Sequence, residues 1–366
     1  MDSASKYAII IPALNPPLRL VDYVKELRTL LKYPIILVDD GSRQEEKPIF
    51  EECKKNASDV TILTHDINRG KGRALKTAFS YLLDKYPDIK GCITCDSDGQ
   101  HRAVDVVKCF AALEQNPEAL VLGCRTFNLE HVPWRSRFGN QTMNKLFRIF
   151  TKQDFQDTQT GLRAIPTSFM RELIDCPGER FEYETHMLLM IKNRPLVQVP
   201  IETIYLDGNS ESHFNPVKDS IKISAIIVRH GLAKFFKFVA VSIFSFGVDI
   251  GVFSILYYIA FSSETDGRLF LSVVIARITS LCINYLCNRN YVFKNKNGGV
   301  ADISTFLRYL SLAMVIMGAS YLLTKGTALL IKNSECVVSF IKIAVDLILF
   351  ILSYTVQKRL IFIHKD

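Results

Sequence analysis

Cys92-Ile93-Thr94-Cys95-Asp96-Ser97-Asp98-Gly99-Gln100-His101 decides how the first half of this 366-residue chain is read. A short apolar run stops at two carboxylates one residue apart, and a glycine turn follows. The run has the length of a buried strand, and the polar cluster sits where that strand would end. Neighbouring segments repeat the layout. Tyr7–Ile11 runs on into Asn15, Ile35–Val38 into Asp39-Asp40-Gly41-Ser42, and Val60–Leu63 into Asn68-Arg69-Gly70-Lys71. Leu18–Lys32, Lys47–Asn56, Gly72–Lys85 and Val104–Gln115 carry helical periodicity between them, and Ala119–Gly123 reads as a fifth strand. Such alternation predicts a mostly parallel α/β sheet wrapped by helices. Ligands of these sheets collect beyond the carboxyl ends of the strands, so the clusters predict one shared site.

The residue types suggest its chemistry. Two carboxylates on one turn suit a hard divalent cation, Mg²⁺ or Mn²⁺, whose other ligands are substrate phosphates. Asn68-Arg69-Gly70-Lys71-Gly72 opens a helix, where backbone N–H groups and a lysine suit a diphosphate. The spacing is not that of a Walker A loop, and no G-x-G-x-x-G follows the first strand, which argues against a nicotinamide enzyme. Cys92 and Cys95 form a C-x-x-C without a second Cys/His pair nearby, so they read as core residues. Nine cysteines scattered over both halves give no disulfide framework. The polar Met1–Lys6 leads straight into the first strand and is no signal peptide, which puts the first half in the reducing cytoplasm.

Beyond Arg125 the rhythm changes. Trp134–Lys152 is a basic amphipathic stretch that fits an anionic membrane surface or a helix packed on its own sheet. Leu196–Tyr205 reads as a late edge strand. From Lys234 onward the pattern is that of lipid, with helices expected at about 238–261, 269–291, 307–331 and 336–360, each close to a bilayer crossing. The net charge of +8 lies wholly in this half: residues 1–228 hold 30 basic and 30 acidic side chains, residues 229–366 hold 15 and 7. Basic residues that flank apolar runs indicate a membrane protein and no nucleic-acid partner. Arg229, Lys234, Lys237, then Arg289, Lys294, Lys296 and Arg308, then Lys358, Arg359 and Lys365 place both termini and the middle loop in the cytoplasm. Asn284–Phe293 and Ser353–Phe362 echo each other, which suggests two repeats of a helical hairpin. Asp249, Arg277, Lys342 and Asp346 lie within the apolar runs, where charges are costly and face a polar interior. They are expected to line one cavity.

The blocks Ile10-Ile11-Pro12-Ala13-Leu14-Asn15, Val38–Ser42, Asn68-x-Gly70-Lys71-Gly72 and Asp96–His101 resemble family 2 glycosyltransferases, in the branch of the polyprenyl-phosphate hexosyltransferases. Asp157–Arg163, Arg180–Glu184 and Ser212–Pro216 resemble later blocks of that branch, and residues 229–366 resemble GtrA-like membrane domains. The resemblance implies a GT-A fold over residues 1–228. It also implies inverting, metal-dependent transfer of a hexose from a nucleotide-sugar to a polyprenyl phosphate. By position, Asp96, Asp98 and Gln100 would hold the metal, and Asp157 would join Asp96 and Asp98 in catalysis. Pro12, Asn15, Asp39, Asp40, Lys71, Ser97, Gln159, Arg163, Glu182 and Glu184 would surround the nucleotide-sugar. Arg125 and Arg137 would take the acceptor phosphate. Leu14 and Pro16, and Asp207 with Ser212-His213, depart from the branch and leave base and sugar unassigned. Two other classes share some of these features: a non-enzymatic translocator of lipid-linked sugar, and a polysaccharide synthase, whose Q-x-x-R-W is missing because Pro133 precedes the single Trp134. Self-association is left open.

Overall fold

The computed structural model describes residues 6–57, 59–125, 134–151, 153–191, 194–202, 216–260, 268–293, 303–331 and 335–362. The chain divides into two units, Met1–Gly231 and Leu232–Asp366. Strands of the first unit are β1 (Tyr7–Ala13), β2 (Ile35–Asp39), β3 (Val60–Thr64), β4 (Gly91–Thr94), β5 (Leu120–Arg125), β6 (Arg163–Pro166) and β7 (Leu196–Ile201). Its helices are α1 (Arg19–Leu30), α2 (Lys47–Asn56), α3 (Lys71–Lys85), α4 (Ala103–Gln115), α5 (Trp134–Thr151), α6 (Thr167–Leu173) and α7 (Glu182–Met190).

The strands make one sheet in the order β3-β2-β1-β4-β6-β5-β7. Both faces are covered, which explains why its strands read as continuous apolar runs. Ile9 and Ile11 of β1, with Ile35 and Leu37 of β2, face a core shared with α1, α2 and α4. Ala8, Ile10, Ile36 and Val38 alternate with them and face the opposite core, shared with α3, α6 and α7. Met143 and Phe147 of α5 are buried in that second core. The amphipathic stretch therefore packs on its own sheet.

One strand escapes the sequence pattern. β6 runs antiparallel to both β4 and β5 and lies between them. It has four residues, begins with an arginine and ends with a proline, so neither alternation nor an apolar run marks it. Its direction matters for function. An antiparallel strand starts at the end of the sheet where its neighbours finish, so the loop before β6 is delivered beside the carboxyl end of β4. Thr94 Oγ1 donates to the Gly161 carbonyl at 2.8 Å and fastens the two together.

Another element is longer than hydropathy suggests. α8 (Pro216–Ile255) begins well before residue 238. Its first part carries Ile223 and Ile227, which are buried in the core of the first unit. Proline at a helix's first position is favoured, since its missing N–H would have no intrahelical partner there.

The second unit continues with α9 (Arg268–Cys287), α10 (Ile303–Ile331) and α11 (Glu335–Val356). Among the described residues three segments, Ile221–Ile259, Leu269–Val292 and Ile303–Leu323, are long and apolar enough to cross a bilayer. This is a membrane protein. α9 and α11 each run on into one π-helical turn, Asn288–Val292 and Gln357–Ile361. The two turns close alike: Phe293 N–H donates to the Asn288 carbonyl at 2.8 Å, and Phe362 N–H to that of Gln357 at 2.9 Å.

The echoed segments also meet. Tyr285 and Phe362 have ring centroids 6.0 Å apart and planes at 32°, and Tyr354 and Phe293 repeat both values. Tyr285 packs edge-on against Phe306 at 5.0 Å, Tyr354 against Phe235 at 5.1 Å. Asn288 Nδ2 donates to Gln357 Oε1 at 3.3 Å, joining equivalent positions of the two hairpins. The unit is a pair of like hairpins, α8–α9 and α10–α11, whose cores contact through matching residues.

The intramembrane charges are distributed between the hairpins and do not gather as one group. Arg277 lies 3.6 Å from Asp249, which also accepts from Ser280 at 3.1 Å. Lys342 reaches Asp346 at 2.5 Å, one turn away on the same helix, and Ser320 donates to Asp346 at 2.6 Å.

Candidate active site

Every strand of the parallel set ends on the same side, and the polar clusters predicted from sequence assemble there in two tiers. The lower tier is a frame. Asn15 holds a left-handed backbone with φ of 48°, a conformation Asn tolerates better than most residues. Its N–H donates to Ser42 Oγ at 2.9 Å, and its Oδ1 accepts Arg43 N–H at 2.9 Å. Asp39 Oδ1 accepts Ser42 N–H at 2.8 Å while Oδ2 takes the Lys47 ammonium. Asp40 accepts from Arg69 N–H at 2.9 Å, from Gly70 N–H at 2.7 Å, and pairs with His65 Nδ1 at 2.7 Å. Pro12, Asp39 and Asp40 are buried. Asp39 and Asp40, expected at the nucleotide-sugar, make these contacts within the protein and hold the loops around the strand ends. Asp40 anchors the turn that launches α3 and aims Lys71.

The upper tier holds the chemistry. Lys71 Nζ lies 2.7 Å from Asp96 Oδ1 and 3.1 Å from Glu184 Oε1, bridging the end of β4 to α7. Burial opposes both charges of the Lys71–Asp96 pair. Asp96 and Glu184 nevertheless hold the ammonium well above the usual lysine range, and Lys71, His101 and Arg125 hold the Asp96 carboxyl below the usual carboxylate range. Asp98 is raised instead, first by burial and then by the adjacent Asp96 charge. Its Oδ1 accepts the Gln100 N–H at 3.0 Å, and Arg19 Nε donates to its backbone carbonyl. Burial pushes His101 down, and its Nδ1 accepts the Asp96 N–H at 3.3 Å.

The third group is the loop before β6. Arg125 makes a fork to Asp157, Nε to Oδ2 at 2.6 Å and Nη2 to Oδ1 at 3.0 Å. Asp157 also accepts Arg125 N–H at 3.3 Å and Gln159 N–H at 3.0 Å, and no part of it is exposed. Four donors saturate this carboxylate. It cannot serve as the catalytic residue expected from sequence; it positions Arg125, a quarter of whose side chain remains open. Arg163 is likewise a correction. Only 1 % of it is exposed, and its guanidinium is used up on the carbonyls of Thr160 at 2.9 Å and Glu184 at 2.9 Å, so it ties this loop to α7 and does not reach a ligand. Glu182 accepts from Glu179 N–H at 3.2 Å and Arg180 N–H at 3.3 Å and caps its own turn. Arg137 belongs to α5, but its side chain lies outside the described residues, as do Asp207 and Ser212–Asn215. Ser97 and Gln159 sit half-exposed beside the cluster.

Gly161 is the member that sequence reasoning passed over. A Cβ there would lie 2.2 Å from Asp96 Oδ2. Bare backbone is needed for the loop to press against the carboxylate, and the glycine stood in plain view within Asp157–Arg163. We expect Gly161→Ala to displace Asp96 and cut turnover by about 10²-fold, as small misplacements of catalytic groups do, with donor KM raised. Unchanged kinetics would show that the contact is dispensable.

Among the described residues no three His, Cys, Asp or Glu side chains converge as a closed metal cage. The donor set still fits a hard cation that takes few protein ligands: two carboxylates on one turn, one already bound to a cation and the other without a basic partner among the described residues. Asp96 and Asp98 would hold it, with Gln100 adjacent. The arrangement can bind a cation and diphosphate at Asp96, Asp98 and Lys71, and a second anion at Arg125. Cys92 and Cys95 are buried thiols raised by burial, in keeping with core residues.

Comparison with known proteins agrees with this geometry. The family model for glycosyl transferase family 2 matches residues 8–175, and the model of the GtrA/DPMS transmembrane domain matches residues 229–362. An uncharacterised protein of Methanocaldococcus jannaschii is 30% identical over 205 residues, which cover 54% of this chain and 82% of that protein. The UDP-N-acetylglucosamine–dolichyl-phosphate N-acetylglucosaminyltransferase of Methanococcus voltae is 29% identical over 54% of this chain and 86% of its own. A dolichyl-phosphate beta-glucosyltransferase of Dictyostelium discoideum is 28% identical over 61% of this chain and 72% of its own.

Proposed function

This chain belongs to glycosyl transferase family 2 and carries a GtrA/DPMS transmembrane domain, and from that premise we propose that its GT-A unit moves a hexose from a nucleotide-sugar to a polyprenyl phosphate. The enzyme is a membrane glycosyltransferase of lipid-linked sugar synthesis. The observation that carries the proposed chemistry is the pairing of two anion-binding sites on one sheet edge: Lys71 beside Asp96 and Asp98, and Arg125 braced by a saturated Asp157.

Each group then has a task. Lys71 takes a diphosphate oxygen, an exchange that Glu184 makes easier because the ammonium keeps one carboxylate while releasing the other. Asp96 and Asp98 would hold a divalent cation, Mg²⁺ or Mn²⁺, which when bound would offset the negative charge of the departing diphosphate. Arg125, with Arg137 from α5, orients the acceptor phosphate by a charge-assisted fork. An acceptor phosphate is anionic at neutral pH, so no strong base is required. The observed saturation of Asp157 removes nothing that this chemistry needs. An oxygen of the acceptor phosphate attacks the sugar C1 as the C1–O bond to the diphosphate breaks, with inversion, and alignment of the two anions supplies much of the rate. We further propose four crossings with both ends and the GT-A unit on the cytoplasmic side, on the strength of the basic residues before α8, between α9 and α10, and after α11.

Purified protein given radiolabelled UDP- and GDP-hexoses one at a time, with polyprenyl phosphate, tests the reading. Label from one donor should enter the organic phase only when the lipid phosphate is present. Label that reaches a water-soluble polymer instead would favour a synthase, and no transfer from any donor would favour a translocator.

A further inference from the structure

A lysine already holds the carboxylate that a cation at this site needs. Lys71 Nζ lies 2.7 Å from Asp96 Oδ1. The other Asp96 oxygen is hemmed in: a Cβ on Gly161 would meet Oδ2 at 2.2 Å, and His101 Nε2 stands 3.9 Å from it. A divalent cation that takes Oδ1 would stand beside the ammonium, and like charges so close repel strongly. Asp98 gives little relief, because its Oδ1 is turned to the Gln100 N–H at 3.0 Å.

The same lysine has a second carboxylate to hold. Glu184 Oε1 lies 3.1 Å from Nζ, and the Glu184 side chain is 13% exposed against 32% for Asp96. Asp96 is the open end of the bridge and Glu184 the enclosed end. The backbones that carry Lys71 and Glu184 are fastened to each other. Arg73 N–H donates to the Glu179 carbonyl at 3.0 Å, and Arg73 and Lys76 pair with the Glu179 carboxylate at 2.6 and 3.0 Å. A Cβ on Gly72 would lie 2.5 Å from Tyr183 Cβ, so α3 meets α7 without a gap. Arg163 Nη1 donates to the Glu184 carbonyl at 2.9 Å and fixes α7 from the other side. With the helices clamped, Lys71 can leave Asp96 by side-chain rotation alone and stay on Glu184.

We propose that Lys71 and Glu184 form a cation-exchange switch, in which Lys71 neutralises Asp96 while the site is empty and withdraws onto Glu184 when a divalent cation takes Asp96. The switch rests on the cation and diphosphate reading above and deepens it, making Glu184 a positioning residue that holds the lysine. Two consequences follow from the geometry. The empty enzyme resists a cation on its own, because an ion pair must open first. A nucleoside diphosphate eases that opening, since its oxygens accept from the released ammonium and share the cation, so each ligand tightens the other.

The test reads bound manganese, with no hexose transfer involved. The full chain in phosphatidylcholine nanodiscs is titrated with Mn²⁺, the free ion being followed by electron paramagnetic resonance, alone and with UDP or GDP in turn. In the wild type one of the two nucleotides should tighten Mn²⁺ binding by about ten- to a hundredfold. Lys71→Met should tighten binding of Mn²⁺ alone by about tenfold and lose most of the gain from nucleotide. Misfolding cannot produce a gain of affinity, but loss of any nearby positive charge could. The decisive protein is therefore Lys71→Met/Glu184→Gln, which keeps the net charge of the site. The switch predicts that it still binds Mn²⁺ alone several-fold tighter than the wild type, because Asp96 is released. A return to wild-type affinity in the double variant, unchanged or weaker binding in Lys71→Met, or no gain from either nucleotide in the wild type would each overturn the proposal. Asp96→Asn separates the two readings. Mn²⁺ binding untouched by it would remove the cation site and the switch together; binding lost there, with no gain in Lys71→Met, would remove the switch alone.

Discussion

Asp98→Asn will slow hexose transfer by about 10²–10³-fold while leaving the protein folded. The size is that of losing one preorganised charge at a site where charge develops. The substitution is nearly isosteric, and the side-chain oxygen that accepts the Gln100 N–H at 3.0 Å survives it, so the turn should hold. What disappears is the second carboxylate of the cation site. Asp96 alone, already engaged by Lys71 at 2.7 Å, would then have to divide itself between a lysine and a metal. Wild-type activity should correspondingly vanish in chelator and return with Mg²⁺ or Mn²⁺. Full turnover of the variant in chelator would remove Asp96 and Asp98 from the mechanism.

Arg125 gives the second large effect, and the structure changes how it must be measured. Arg125→Ala strips from a wholly buried carboxylate the one cation that pairs with it among the described residues. An orphaned charge of that kind costs about 3–5 kcal/mol, enough to lower the thermal midpoint by many degrees and to obscure any effect on binding. The double variant Arg125→Ala/Asp157→Asn removes the charge as well and should recover most of that loss. In it, the KM for polyprenyl phosphate is expected to stay raised by at least about tenfold, as loss of a charge-assisted fork implies, with the donor KM nearly unchanged. Asp157→Asn alone should show a smaller rise, since Arg125 then keeps its charge and loses its brace. Donor and acceptor KM rising together in the double variant would mean that Arg125 supports the fold and nothing more.

Much of this architecture is legible in the residues. The parallel strands show because burial on both faces leaves them apolar from end to end, and the polar clusters show because each follows such a run. The hairpin repeat is visible because Tyr285 and Tyr354, Phe293 and Phe362 keep their spacing, and those residues are the ones that touch. Concealed features have local physical causes. β6 carries a buried arginine, whose charge breaks any apolar pattern, and its guanidinium is satisfied only by carbonyls that the folded loop supplies. Asp39, Asp40 and Asp157 look like ligand-binding carboxylates because a polar cluster beyond a strand is consistent with either a site or its frame. Only the partners distinguish the two, and those partners are mostly backbone N–H groups, which no sequence displays. The start of α8 was hidden for another reason: its first turns pack on the GT-A core and so lack the hydropathy of the rest.

In the proposed reaction a lipid phosphate oxygen attacks the sugar and a nucleoside diphosphate leaves. Mass spectrometry of both products from one turnover mixture tests it most directly. A polyprenyl monophosphate hexose together with a released nucleoside diphosphate is the predicted result. A polyprenyl diphosphate sugar with a released nucleoside monophosphate would mean attack at phosphorus, and would contradict it.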